Sequence, residues 1–304
     1  MMVRLLLAVV PWLLSFPCHA LPAGLGSALR RSVSSPSSSS ALRALSPLAQ
    51  DVASSVFSIG ASAAWLQIWI TLAKSGKIDT KLSRKIIHTG SAPLFACLWP
   101  LYSSGDLPSR AVASLVPLAQ MIRLASSGIT SANKLVKDNE NGSRASSGSN
   151  DKNVSDGGLA NAVSRTGDKS EVFGGPLIYV VVLFFSTLVG FRASPVGVVA
   201  VCQMAAGDGL ADIVGRRFGR DKWPFSTTKS YAGSAAFVVG AFVVSTGVLS
   251  LLAATGCLAL DVTAYLPQLL AISVACAAVE LVPISDDNIT VPVAGAVLAA
   301  LLLR

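Results

Sequence analysis

Charge is scarce in this chain of 304 residues: Asp, Glu, Lys and Arg together make up 13% of it, about half the share of an ordinary soluble domain. So few charges cannot cover a water-facing surface, and a soluble enzyme is excluded. With 52% hydrophobic residues and a mean hydropathy of +0.61, lipid must take the place of water around the fold. Histidine is almost absent, with His19 and His88 alone, so a multi-histidine metal centre is excluded. The cysteines Cys18, Cys97, Cys202, Cys257 and Cys276 form no CxxC pair, which leaves no disulfide or zinc framework to read. Any metal is therefore a hard ion held by carboxylates. No GxxxxGK[ST] loop and no GxGxxG fingerprint occurs, barrel-type strand alternation is missing, and no internal repeat is visible.

Acidic side chains are missing altogether before Asp51, while Arg4, Arg30, Arg31 and Arg43 fall there and residues 32–40 hold seven serines. This Arg-bearing, Ser-rich, acid-poor composition is that of an organellar transit peptide, and a plastid address is expected. A competing reading is a secretory signal, with Leu5 to Phe16 as the apolar region and Cys18-His19-Ala20 as the cleavage site. Residues 1–54 are expected to be a disordered transit peptide, and residues 55–304 a membrane-embedded domain.

Apolar stretches with short polar breaks follow: 56–73, 89–101, 111–125, 174–191, 195–206, 232–255, 266–282 and 291–303. Several approach the roughly 20 residues that cross hydrocarbon. The pattern predicts an all-α polytopic membrane bundle of six to eight helices. A polar segment at 139–167 is expected to be a disordered extramembrane loop. The net charge of +8 suits nucleic acid, anionic lipid or a polyphosphate, and its distribution argues for the last two; no nucleic-acid partner is expected. One basic cluster, at Lys74, Lys77, Lys81, Arg84 and Lys85, reads as membrane topology. In the other, Arg216, Arg217, Arg220, Lys222 and Lys229 alternate with glycines and carboxylates.

That second region carries the chemistry. Asp208 and Asp212 are four apart, which on a helix puts both carboxylates on one face within reach of a shared cation. An ion or an arginine must compensate them at a membrane helix end, and Arg216, four beyond Asp212, is the alternative partner. Gly207, Gly209, Gly215 and Gly219 remove side chains where a ligand or another backbone comes close, and Gly233 offers a backbone donor at the start of the next apolar helix. Arg216, Arg217 and Lys229 offer charge matched to phosphate oxygens. Cation, bases and glycines together point to a nucleotide, with Mg²⁺ on Asp208 and Asp212 and the phosphates on Lys229 and Arg216. Ser230 and Ser234 offer hydroxyls at the start of the next apolar helix, where the dipole favours phosphate, or simply cap that helix. His88 follows Arg84 at a helix edge; it is a base for an alcohol or a buried structural histidine, while Arg84 is the better phosphate ligand. Glu280 inside an apolar run is a functional candidate, and Asp287 with Asn288 completes a second metal or ribose contact. Trp223 and Phe225 stack on a base or belong to an interfacial aromatic belt.

Three blocks resemble the polyprenol kinases, and among them the phytol kinase branch, whose relatives include farnesol kinase and dolichol kinase. They are Arg84-Lys85-Ile86-Ile87-His88, the GDxxADxxGRxxG pattern from Gly207 to Gly219, and Lys229-Ser230-Tyr231-Ala232-Gly233-Ser234. The resemblance implies a multi-pass chloroplast-membrane enzyme that moves the terminal phosphate of CTP, with Mg²⁺, onto the primary hydroxyl of a long isoprenoid alcohol. Phytol is the first acceptor it implies, with phytyl phosphate feeding tocopherol formation and phytol salvage. Farnesol or geranylgeraniol kinase, a CDP-lipid-forming cytidylyltransferase and a membrane transporter are the alternatives, and the oligomeric state is left open.

Overall fold

The computed structural model describes residues 46–141, 174–282 and 286–303, with side chains in the helix ending at Asn141 described as far as residue 126. The transit peptide expected before residue 46 and the polar segment from 142 onward lie outside the described residues. Every element is helical, apart from one isolated bridge between Lys222 and Ser230. Eight helices occur among the described residues: α1 (Pro47–Lys74), α2 (Thr80–Cys97), α3 (Leu107–Asn141), α4 (Gly175–Val189), α5 (Pro195–Phe218), α6 (Tyr231–Ala254), α7 (Leu266–Glu280) and α8 (Asp287–Leu302). This is a helical membrane protein: α1, α5 and α6 are long and apolar enough to cross a bilayer, and α4, α7 and α8 are shorter apolar helices.

Local chemistry sets the helix ends. Ser46, Asp79, Ser194, Ser230 and Asp286 each cap a helix by accepting from a backbone N–H in its first turn, which satisfies donors with no partner inside the helix. Pro47, Pro176, Pro195 and Pro267 occupy first-turn positions, where a missing N–H costs nothing. Gly76, at φ +72°, makes the turn between α1 and α2, a left-handed conformation that a side chain disfavours.

Two expectations need correction at their edges. The disordered leader expected through residue 54 gives way to helix at Pro47. Asp51 is buried, its two oxygens accepting from Ser103 N (2.7 Å) and Ser109 Oγ (2.6 Å), and Ser54 donates to Leu101 O (2.9 Å). Buried polar groups require such partners, and here the α2–α3 connection and the first turn of α3 supply them. The loop expected from residue 139 likewise starts late, because α3 continues through Asn141.

Helix α5 is the central post, packed against α2, α4, α6, α7 and α8, with residues 197–206 all buried. Close packing rests on small residues: a Cβ on Gly197 would meet Ser186 O of α4 at 2.7 Å. Outward, α1 exposes Val52, Val56, Phe57 and Ile68, and α6 exposes Val239 and Val243, an apolar surface suited to lipid rather than water. The helices alternate in direction, so one end of the bundle gathers the start of α2, the end of α5, the start of α6, the end of α7 and the start of α8. The site lies there.

Candidate functional site

Asp208 closes a π-helical turn, Gln203–Asp208, inside α5. Such a widened turn shifts the register of the side chains that follow. It leaves Asp208 and Asp212 on the α2 side of the helix, where Lys85 Nζ lies 3.4 Å from Asp208 and 3.5 Å from Asp212. His88, one turn along α2, brings Nε2 to 3.4 Å from the same Asp208 oxygen. Tyr179 of α4 fixes this part of α2: its hydroxyl accepts from Ala92 N (2.9 Å) and donates to His88 O (2.8 Å), and its ring packs on the imidazole at 4.4 Å.

On the other side of Asp208, Lys229 is held between Glu280 at 2.5 Å and Asp287 at 2.9 Å. Lys229 reaches that position from the loop after α5, which is closed by Trp223 N donating to Lys229 O (3.1 Å) and Tyr231 N donating to Asp221 O (3.2 Å). Burial works against the charged ammonium, yet the hydrogen bonds and charges of Glu280 and Asp287 outweigh it and hold the Lys229 pKa above its ordinary value. One oxygen from each of Asp208, Glu280 and Asp287 lies within 4.8 Å of the others. Three hard oxygen donors converging beside cations fit a divalent ion bound together with phosphate oxygens, because Mg²⁺ typically takes one or two carboxylates and fills its octahedron with water and substrate.

Asp212, expected to be the second metal ligand beside Asp208, lies outside that three-carboxylate group. Its Oδ1 instead accepts from Arg216 Nε at 2.8 Å, the i,i+4 pairing that the spacing also allowed. Arg84 and Lys85 line a cavity that also touches Asp208, whereas Arg217 is exposed on α5. Ser230 is buried and caps α6 by accepting from Gly233 N (3.1 Å). Ser234 accepts from the Trp223 indole (3.1 Å), and that indole packs between Phe225 and Tyr231.

The space left by the glycines is taken by the protein itself. A Cβ on Gly209 would overlap Thr89 Oγ1, one on Gly207 would meet the Phe237 ring at 2.6 Å, and one on Gly219 would overlap Ser230 Oγ. Gly215 and Gly233 face each other across the α5–α6 contact. Of the two reasons for glycine, a ligand or a neighbouring element close by, the structure supplies the second. Sequence reasoning gave Lys85 to membrane topology, although its i,i+3 spacing to His88 put both on one helix face; Tyr179, lying in an apolar run, carried no signal.

Compared with known proteins, the chain is 37% identical over 239 residues to "Probable phytol kinase 1, chloroplastic" of Glycine max, covering 78% of this chain and 72% of the relative. It is 34% identical over 295 residues to "Phytol kinase 1, chloroplastic" of Arabidopsis thaliana, covering 96% and 88%. "Farnesol kinase, chloroplastic" of Arabidopsis thaliana is 34% identical over 240 residues, covering 78% and 70%. No family model and no solved structure matches the chain.

Proposed function

The chain belongs to the phytol kinase family, which has farnesol kinase among its members, and from that footing we propose that it moves the terminal phosphate of CTP to phytol with Mg²⁺ held by Asp208, Glu280 and Asp287. It is an isoprenoid alcohol kinase of a chloroplast membrane, and a nucleotide supplies its phosphate. CTP and phytol follow the family resemblance. The ion assignment is carried by one observation, the convergence of three carboxylates from α5, α7 and α8 around a lysine.

In the reaction, the alcohol oxygen bonds to the γ-phosphorus, the bond from that phosphorus to the β-bridging oxygen breaks, CDP leaves, and the hydroxyl proton departs. A transition state of this kind is loose and anionic, so positioning and charge neutralisation dominate. Asp208, Glu280 and Asp287 would hold the divalent ion, which would supply positive charge to offset the negative charge developing on the phosphate oxygens. Arg84, Lys85 and Arg216 supply a cationic rim for the polyphosphate, and Lys229 transfers its contacts from Glu280 and Asp287 to the phosphates. His88, oriented by Tyr179, holds the hydroxyl beside Asp208 and accepts its proton as the bond forms. Asp212 positions Arg216 and Lys85.

The test is transfer in purified membranes from CTP labelled either at the γ-phosphate or in the base, with phytol as acceptor. Only the γ label is expected in the lipid. Asp208→Asn and Glu280→Gln are expected to lower transfer by about a hundredfold or more, and Asp212→Asn by less. Full transfer by Asp208→Asn removes the ion assignment, and base label in the lipid replaces the kinase with a cytidylyltransferase.

A further inference from the structure

A cavity of about 420 Å³ runs from the carboxylate end into the bundle between α1, α2, α3 and α4. Its two ends differ in chemistry. At the site end the walls are Arg84, Lys85, His88, Asp208 and Asn288; further in they are Phe95, Val116, Leu124, Tyr179, Val180 and Leu183. Along α2 the lining follows one face, from His88 through Ser91 to Phe95, two turns or about 10 Å of depth. The volume lies in the range of roughly 300–1,000 Å³ typical of small-molecule sites. Close-packed interiors rarely keep voids larger than a water molecule, so an apolar space of this size beside a reaction centre calls for an occupant. At the site end Asn288 Oδ1 is buried without a hydrogen bond and His88 Nε2 meets only the Asp208 carboxylate, at 3.4 Å; a hydroxyl offers one donor and two acceptors to such atoms.

We propose that this cavity seats the isoprenoid chain of the alcohol, with its hydroxyl beside His88 and Asp208, its first isoprene units against Tyr179 and the units beyond them against Phe95, Val116 and Leu183. The inference rests on the kinase reading and adds the place and the determinant of acceptor choice: Phe95, Val116 and Leu183, all buried, close the inner end and set which chains fit. A polar end that meets the phosphate donor and an apolar throat that meets the tail match the two halves of an amphiphilic alcohol and no other part of the reaction.

Two measurements test it. Leu183→Trp fills the throat, with Leu183→Met as the volume-conserving control. The tryptophan variant is expected to raise KM for a twenty-carbon prenyl alcohol by about tenfold or more, with kcat and the constants for a ten-carbon prenyl alcohol near those of the unaltered chain. Parallel losses on both alcohols, or no loss on either, overturn the assignment. In the second measurement, a twenty-carbon prenyl alcohol with a photoreactive diazirine on its tail is irradiated with the unaltered membrane protein. Labelled peptides are expected to contain Phe95, Val116 or Leu183, and excess phytol is expected to suppress the label. Labelling elsewhere overturns the proposal. This arm needs no phosphate transfer: label here without transfer sinks the kinase reading alone, and transfer with label elsewhere sinks the cavity alone.

Discussion

At the scale of single residues, Lys229 decides most. It is the counter-ion of two carboxylates, one of which, Glu280, is 5% exposed, and removing one partner of a buried pair strands the other. Lys229→Met is expected to destabilise the protein by about 3 kcal/mol, the low end for such pairs because Lys229 keeps some contact with solvent; thermal melts in detergent measure it. The sign of the pH dependence follows from the direction of the shift. A lysine held above its ordinary pKa stabilises fully below that value and loses the contribution only as pH rises through the higher folded one. The stability gap between the unaltered chain and Lys229→Met is therefore expected to be flat from about pH 7 to 9. A gap that shrinks across that window would mean that Lys229 titrates there.

At the scale of elements, glycine placement sets how closely α5 can approach α2 and α6. Gly209→Ala drives a methyl into Thr89, and overpacking of this kind costs about 1–3 kcal/mol; the melting temperature and the transfer rate should fall together as α2 is pushed away with Lys85 and His88. Gly247 on α6 is the internal comparison, since nothing lies within 4 Å of a Cβ built there, and Gly247→Ala should leave the transfer rate unchanged and the melting temperature equal or higher. The aspartates on either side of Gly209 mark it as a special position, whereas Gly247 lies in an apolar run, but neither sequence says which element comes close. Only the fold does.

At the scale of the whole molecule, the alternating helices bring the two basic clusters, around Lys77 and around Lys222, to one end of the bundle, the condition under which the positive bias puts both on the stromal face. In oriented membrane vesicles of a chain stripped of native cysteines, Ser75→Cys and Thr227→Cys should react with an impermeant thiol reagent from one side. Asp106→Cys and Thr255→Cys should react only from the other. A split between Ser75→Cys and Thr227→Cys would break the topology and, with it, the meeting of Lys85 and Asp208.

Composition and pattern by themselves determined that this chain lives in lipid and folds as helices, because in lipid only helices or a closed barrel satisfy the backbone groups and the long apolar runs show no strand alternation. Sequence spacing also marked Asp208, Lys229, Glu280 and Asp287 as charged residues that an apolar bundle must have reason to keep. It left open whether Asp212 pairs with a metal ion or with Arg216, since four-residue spacing serves either; in the structure one oxygen accepts from Arg216 and the other lies 3.5 Å from Lys85. The assembly of Asp208, Glu280 and Asp287, up to 79 positions apart in the chain, and the apolar throat beside them were decided only by tertiary packing. Helical periodicity says which face a residue occupies, and it carries no information about which other helix that face will meet.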